Sequence, residues 1–311
     1  MILVAGSANL DFVVRADHIP SPGETVLGRD FQTFPGGKGA NQAVACARAG
    51  GVATHMLLAL GNDAFAKPLE DSLQGAGVKL LTVRDLEHPT GTAFICLSEA
   101  GENAITVAPG ANASLRPAHL PALSGYTHLL LQLEIPLDSV TAYARAAHAA
   151  GLKVVLNAAP ARVLPQELIN AVDILVVNEG ELAVVSQHDG SIAGCLDLLA
   201  VPTVVVTLGS HGCLARHEGA HHLQASFAIT PVDTTGAGDT FCGALGAALS
   251  TGQPMDAALR YASAAGALAC TRLGAQSSVP QADEVRALLT AQPDNNTPAR
   301  LDALRTLCGI Q

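Results

Sequence analysis

The chain is 311 residues long, 49% hydrophobic and 14% charged, with a net charge of −10. That composition supports a large buried core and excludes a disordered polymer. The acidic balance argues against nucleic acid or an anionic membrane as partner, and with no Trp and 3% aromatics there is no platform for stacking bases.

Along the chain, apolar Met1–Ala5 reads as a first strand. Asn9 and Asp11 end its run too early for a signal peptide. Residues 12–34 and 90–109 alternate in the strand manner, with turn residues at Pro20–Gly23 and Ala100–Asn103. After them the rhythm changes to β-α units: Thr127–Leu131 then Ser139–Ala150, Val154–Leu156, Ile174–Val177 then Glu179–Val185, and Thr203–Thr207. The expected fold class is therefore α/β, a doubly wound, mostly parallel sheet flanked by helices. Two small-residue helices follow, Ala237–Leu249 and Pro254–Thr271, suited to close packing. Beyond the loop at 293–298, Thr297 reads as an N-cap, Pro298 as N1, and Leu301, Leu304 and Leu307 as one apolar stripe. No apolar stretch reaches the ~20 residues of a membrane span.

Seven scattered cysteines without a C-x-x-C pair read as reduced, buried thiols of a cytoplasmic protein. Among eleven histidines the best spacing for a metal is His217 with His221 and His222, which reads as a solvated hairpin.

The most informative segment is residues 233–245, Asp-Thr-Thr-Gly-Ala-Gly-Asp-Thr-Phe-Cys-Gly-Ala-Leu. A helix starting here would aim the amides of Gly236, Ala237 and Gly238 outward, with the positive end of its dipole behind them. Asp239 beside such an anion hole fits a general base next to a transferring phosphoryl group. Neither a Walker A sequence nor a convincing G-x-G-x-x-G accompanies it, which counts against the P-loop and dehydrogenase readings. Helix capping by Asp233 and Asp239 remains the plain alternative.

This segment resembles the C-terminal signature of the ribokinase (PfkB-type carbohydrate kinase) family. The N-terminal signature is matched by Gly36-Gly37-Lys38-Gly39-Ala40-Asn41-Gln42-Ala43, about two hundred residues earlier and in the right order. Weaker marks are Gly6-Ser7-Ala8-Asn9-Leu10-Asp11, Gln132-Leu133-Glu134, Leu156-Asn-Ala-Ala-Pro-Ala161, Asn178-Glu179-Gly180-Glu181, Thr207-Leu208-Gly209-Ser210 and Gly274-Ala-Gln-Ser-Ser-Val-Pro280. The similarity runs from about Ile2 to Leu289.

The resemblance implies an ATP-dependent sugar kinase acting on O5 of D-ribose. It implies an α/β body (1–11, 35–89 and 110–290), a projecting β lid (12–34 and 90–109) that pairs in a homodimer, and an extension at 291–311. Asn9, Asp11, Gly37, Lys38, Gly39, Asn41, Glu134 and Asp239 map onto the sugar contacts. Asn178, Thr207, Gly209, Gly212, Gly238 and Ser263 map onto the ATP side, with Glu181 reaching magnesium through water. Asp233, Thr235, Ala269, Arg272, Gly274 and Ser278 match a potassium site built mostly of carbonyls. Each residue also has a plain reading: Asn9 and Asp11 as turn residues, Glu134 as a cap for the helix after Pro136, Asn178 as a helix N-cap, Gly209–Gly212 as a hairpin turn. Rival functions are a kinase for deoxyribose, another sugar or a nucleoside, whose base could sit among Phe31, Phe34 and Phe94, or a silent sugar-binding sensor.

Overall fold

The structure is a computed structural model and describes residues 1–100, 102–293 and 295–310. The expected turn at Ala100–Asn103 and the loop at 293–298 each include a residue outside that set, Gly101 and Asp294.

The chain opens with β1 (Ile2–Ala5), β2 (Asn9–Ala16) and β3 (Arg29–Gly36), then α1 (Lys38–Arg48), β4 (Thr54–Gly61), α2 (Ala66–Gly75), β5 (Lys79–Asp85), β6 (Gly91–Ser98) and β7 (Asn103–Ala108). The β-α units follow as β8 (His128–Leu131), α3 (Leu137–Ala149), β9 (Lys153–Asn157), α4 (Gln166–Ile169), β10 (Ile174–Asn178), α5 (Glu179–Ser186), α6 (Ile192–Asp197) and β11 (Thr203–Thr207). A hairpin, β12 (Gly212–His217) and β13 (Ala220–Ala225), precedes α7 (Ala237–Ser250), α8 (Met255–Ala269), α9 (Ala282–Ala291) and α10 (Pro298–Cys308).

Nine strands form one sheet in the order β13-β12-β11-β10-β9-β8-β1-β4-β5. From β11 to β5 every pair is parallel, and only the hairpin at the other edge runs antiparallel. Side chains of β1 alternate between two cores: Ile2 and Val4 pack with α1, α7 and α8, whereas Leu3 and Ala5 pack with α3 on the opposite face. A parallel strand covered on both faces reads as a continuous apolar run, which is why Ile2–Ala5 shows no alternation. Strand order reverses at β1, with β4 on one side and β8 on the other. That reversal opens a crevice at the carboxyl ends of the strands.

A second sheet, in the order β3-β2-β6-β7, carries the alternating segments. It reaches further into the body than the expected boundary at residue 12. Asn9 pairs with Gly36 and with Gly91, so Asn9 and Asp11 are strand residues and not turn residues.

Small residues set the central helix crossing. A Cβ at Gly243 of α7 would lie 2.5 Å from the Gln42 carbonyl and from Ala45 of α1. Overpacking of this kind costs about 1–3 kcal/mol, so the glycine is what lets α1 and α7 lie together.

In the hairpin, His222 meets Asp256 at 2.7 Å and His217 meets Thr203 at 2.8 Å, so these rings are partly buried and hydrogen-bonded, not freely solvated. Thr297 stands at the N-cap of α10 without a side-chain cap bond. Leu304 and Cys308 are buried there, but Leu307 is exposed. Extension side chains hold the backbone at the end of β13: Asn295 Nδ2 donates to the Ala225 carbonyl at 2.8 Å, and Arg300 Nη2 to that of Ser226 at 2.7 Å.

Candidate active site

The site residues gather at the carboxyl ends of β1, β8, β9, β10 and β11, beside the reversal of strand order. Gly37 carries a φ of 89° as N-cap of α1, and a Cβ there would lie 2.8 Å from the backbone of Ala8 and Asn9. Only glycine lets α1 begin against the β1–β2 junction.

Glu134, just past β8, reaches across the crevice to this helix start. Its Oε2 accepts from Ser7 Oγ at 2.6 Å and from the Lys38 N–H at 3.0 Å. A carboxylate at a helix N-terminus meets free amides and the positive end of the dipole. Glu134 thus serves the start of α1, and not the helix after Pro136 as its capping alternative supposed. Lys38 is the first residue of that helix and is half-buried. Asp239 holds its ammonium above the ordinary lysine value against the opposing effect of burial, with Glu134 and Glu181 adding to the rise.

Asp239 lies in the first turn of α7 and is buried. Asn41 Nδ2 donates to its Oδ2 at 2.9 Å and Gln42 Nε2 to its Oδ1 at 3.0 Å. Both donors come from α1, so the α1–α7 contact at Gly243 brings the carboxylate to its partners. Gly236 is the N-cap of α7 with φ 74°, and a Cβ there would lie 2.9 Å from Ala275. The Ala237 N–H donates to the Thr234 carbonyl at 3.2 Å. Of the three expected anion-hole amides, that one closes a turn, and among the described residues those of Gly236 and Gly238 have no backbone acceptor. Gly238 is exposed and open space lies where its side chain would be.

Asp11 faces the same crevice. Burial, then Glu134, then Asp239 push its carboxyl up to about 7. Asn9 is buried and its Oδ1 accepts from Asn112 Nδ2 at 2.7 Å. Asn112 also bonds the N–H and carbonyl of Ala8. A cleft of about 200 Å³ between small sheet and body is lined by Asp11, Val13, Phe34, Ile95, Thr235 and Ala275.

Of the residues expected on the nucleotide side, Asn178 and Thr207 lie at neighbouring strand ends. Asn178 and Thr207 are register partners on β10 and β11, and Thr207 faces Cys213, whose Sγ lies 3.7 Å from Ser263 Oγ on α8. Asn178 and Glu181 form a reciprocal capping box, with both bonds at 2.8 Å. Glu181 also belongs to the site field. Burial raises its carboxyl and Asp239 adds to the rise, while Asn178 and Lys38 oppose it. Gly212 has a packing reason of its own, because a Cβ there would lie 2.0 Å from the Gln224 carbonyl.

Asp233 ties two loops together. Its Oδ1 accepts from the Thr235 N–H and hydroxyl, and its Oδ2 from the Gly274 N–H at 2.9 Å. Against burial, those hydrogen bonds hold its carboxyl below the usual range. The Arg272 guanidinium pairs with Glu284, and the Ser278 hydroxyl donates to the Ala275 carbonyl. Arg272 and Ala269 therefore have only carbonyls to offer a cation.

Four polar residues with no role assigned from sequence complete the site: Gln42, Gln132 and Asn157 around Asp239, and Asn112 beneath Asn9. The first three lie inside motif segments, but nothing in their spacing joins them. Asn112 had no signal beyond a Pro-Gly turn.

A family model described as pfkB family carbohydrate kinase matches residues 1–282. The ribokinase of Bacillus subtilis strain 168 is 39% identical over 294 residues, spanning 93% of this chain and 99% of its own length. That of Haemophilus influenzae is 35% identical over 295 residues, with 91% and 96% covered. The solved structure of Arabidopsis thaliana ribokinase complexed with ribose and ATP matches with a TM-score of 0.84 at 34% identity, covering 93% of this chain and 98% of that one.

Proposed function

The chain belongs to the pfkB family of carbohydrate kinases, and we propose that it transfers the γ-phosphoryl group of ATP to the O5 hydroxyl of D-ribose. The observation that carries this reading is the pairing of Asp239, oriented by two amides, with an open helix N-terminus one residue away. In this scheme Asp239 takes the O5 proton as the O5–phosphorus bond forms and the bond to ADP breaks. The amides of Gly236 and Gly238 stabilise the charge on the transferring group, and Lys38 offsets part of the carboxylate field. Asn9, Asp11, Asn41 and Glu134 hold the sugar hydroxyls. The sensor reading leaves the pairing of base and anion hole without a purpose.

Among the described residues no group of three or more His, Cys, Asp or Glu could hold a metal ion. Magnesium would therefore come with the ATP phosphates, Glu181 facing it through water, and would neutralise phosphate charge. A potassium ion is proposed between the loops that Asp233 ties together, held by carbonyls from residues 233–235 and 269–278. Cytoplasmic residence is part of the proposal and is supported by seven free cysteines. The small sheet would act as a lid and pair with a second copy. Phe31, Phe94 and Ile105 are exposed on it, and β3 and β7 are its open edges.

The lid register favours a small sugar over a nucleoside. Phe34 pairs with Asp11 and lines the cleft, whereas Phe12 stacks on Phe31 and Phe94 on the other face. The three rings imagined as a base slot do not converge. The test is a screen of pentoses, hexoses and nucleosides with MgATP, reading ADP release. D-ribose is expected to give the highest kcat/KM, and turnover of a nucleoside alone would overturn the assignment.

A further inference from the structure

Gln42, Gln132 and Asn157 are buried, and no step of the proposed reaction uses them. Their hydrogen bonds run in one direction. Asn157 Nδ2 lies 3.2 Å from the Val176 carbonyl, which can only accept. Asn157 must therefore turn its own oxygen toward Gln42, whose Nε2 meets it at 3.1 Å. The same Nε2 reaches Asp239 Oδ1 at 3.0 Å. That orientation leaves Gln42 Oε1 facing Gln132, which supplies Nε2 at 2.6 Å. The chain ends at Gln132 Oε1, a buried oxygen without a hydrogen-bond partner among the described residues. It lies against Gly6, where a Cβ would come within 2.0 Å of it. A buried orphan oxygen is unfavourable, and its presence follows from the need to turn the N–H side the other way.

We propose that Asn157, Gln42 and Gln132 form an amide chain of fixed polarity. Its task is to keep an N–H donor, never a carbonyl, on Asp239. A lone glutamine beside a carboxylate can rotate by 180° about its last bond. Here a backbone carbonyl at one end and a glutamine amide at the other remove that freedom. Gln42 and its two neighbours are thus positioning residues: they hold the base aimed without touching sugar or nucleotide. The inference rests on the reading of Asp239 as the base.

The test uses Gln42→Met and Gln132→Met, which keep volume and remove the polar atoms, alone and together. Loss of a donor to a carboxylate raises its pKa. In Gln42→Met the acid limb of the kcat–pH profile should move upward, with kcat at neutral pH down about tenfold and the KM values for ribose and ATP unchanged. Gln132→Met should move the same limb the same way by less. Because Gln132 acts only through Gln42, adding it to Gln42→Met should change nothing further. An unmoved acid limb, or losses that add, would leave these amides a purely structural role and overturn the proposal. Asp239→Asn separates the two readings. If that variant keeps turnover, the base assignment fails; if it is inactive while Gln42→Met matches wild type, only the amide chain fails. Should the methionine variants not fold, the wild type still decides. The Gln42 side-chain amide protons should exchange slowly in hydrogen-exchange NMR, and fast exchange would refute a locked amide.

Discussion

Asp11 carries a charge that the fold holds at a loss, and removing that charge should stabilise the protein at alkaline pH. Burial, Glu134 and Asp239 lift its carboxyl from an ordinary 3.8 to about 7. Between those two values the native state holds a proton that the unfolded chain has released, so stability falls as pH rises through that window. Below about 3.8 the group contributes nothing, and above about 7 its full penalty is present. A displacement of that size corresponds to about 4 kcal/mol if the site were sealed. Asp11 is only half-buried, and solvent screening reduces this to about 2 kcal/mol. With an unfolding entropy of roughly 2.1 cal/mol/K per residue over this length, that equals a Tm difference of about 3 °C. The perturbation is Asp11→Asn, which keeps the shape and removes the charge. Scanning calorimetry of both proteins at a series of pH values is the assay. The variant should melt about 3 °C higher at pH 8, and the gap should close toward pH 4. A gap independent of pH, or a variant that melts lower at pH 8, would refute the reasoning. The same variant should bind ribose more weakly, because the carboxylate grips sugar hydroxyls in the proposed site.

Asp239→Asn should lower kcat on the order of 10²–10⁴-fold with a much smaller loss of ribose affinity by calorimetric titration; near-normal turnover would remove Asp239 as the base. Turnover at saturating MgATP and ribose should be higher in potassium chloride than in sodium or tetramethylammonium chloride at equal ionic strength. Equal kcat in all three salts would rule out the cation site between the loops joined by Asp233. Sedimentation at micromolar concentration should show a dimer, and a monomer alone with and without ribose would show that the open edges of the small sheet are not paired between copies.

The fold was legible where the hydrophobic period was clean. Thr203–Thr207 is a strand with the expected ends, because a run of valines buried on both faces leaves no alternative. The helix from Ala237 begins as expected because glycines and Asp239 mark its start. The small sheet begins at Asn9, three residues before the expected boundary at residue 12. Asn9–Asp11 looks like a turn by composition, yet β2 pairs there on both sides, and tertiary pairing overrides local preference. The Leu307 stripe failed for a related reason. The surface under α10 accepts Leu304 and Cys308, a spacing of four that the count from Leu301 by threes did not favour.

The site was legible as a set of motifs and illegible as a network. Residues about 200 positions apart, Asn41 and Gln42 with Asp239, meet only because two helices cross at Gly243. Sequence can mark Asp239 as a candidate base, since a carboxylate beside glycine amides is chemically odd. It cannot show that Glu134 belongs to the start of α1, because that bond spans the crevice opened by the reversal of strand order. Nor can it orient an amide. The direction of the Asn157–Gln42–Gln132 chain is set by one backbone carbonyl on β10, and that constraint exists only once β9 and β10 lie side by side. Positioning is therefore carried by the least conspicuous residues of the site. Neutral amides have no pattern of their own until the sheet supplies an acceptor that cannot turn.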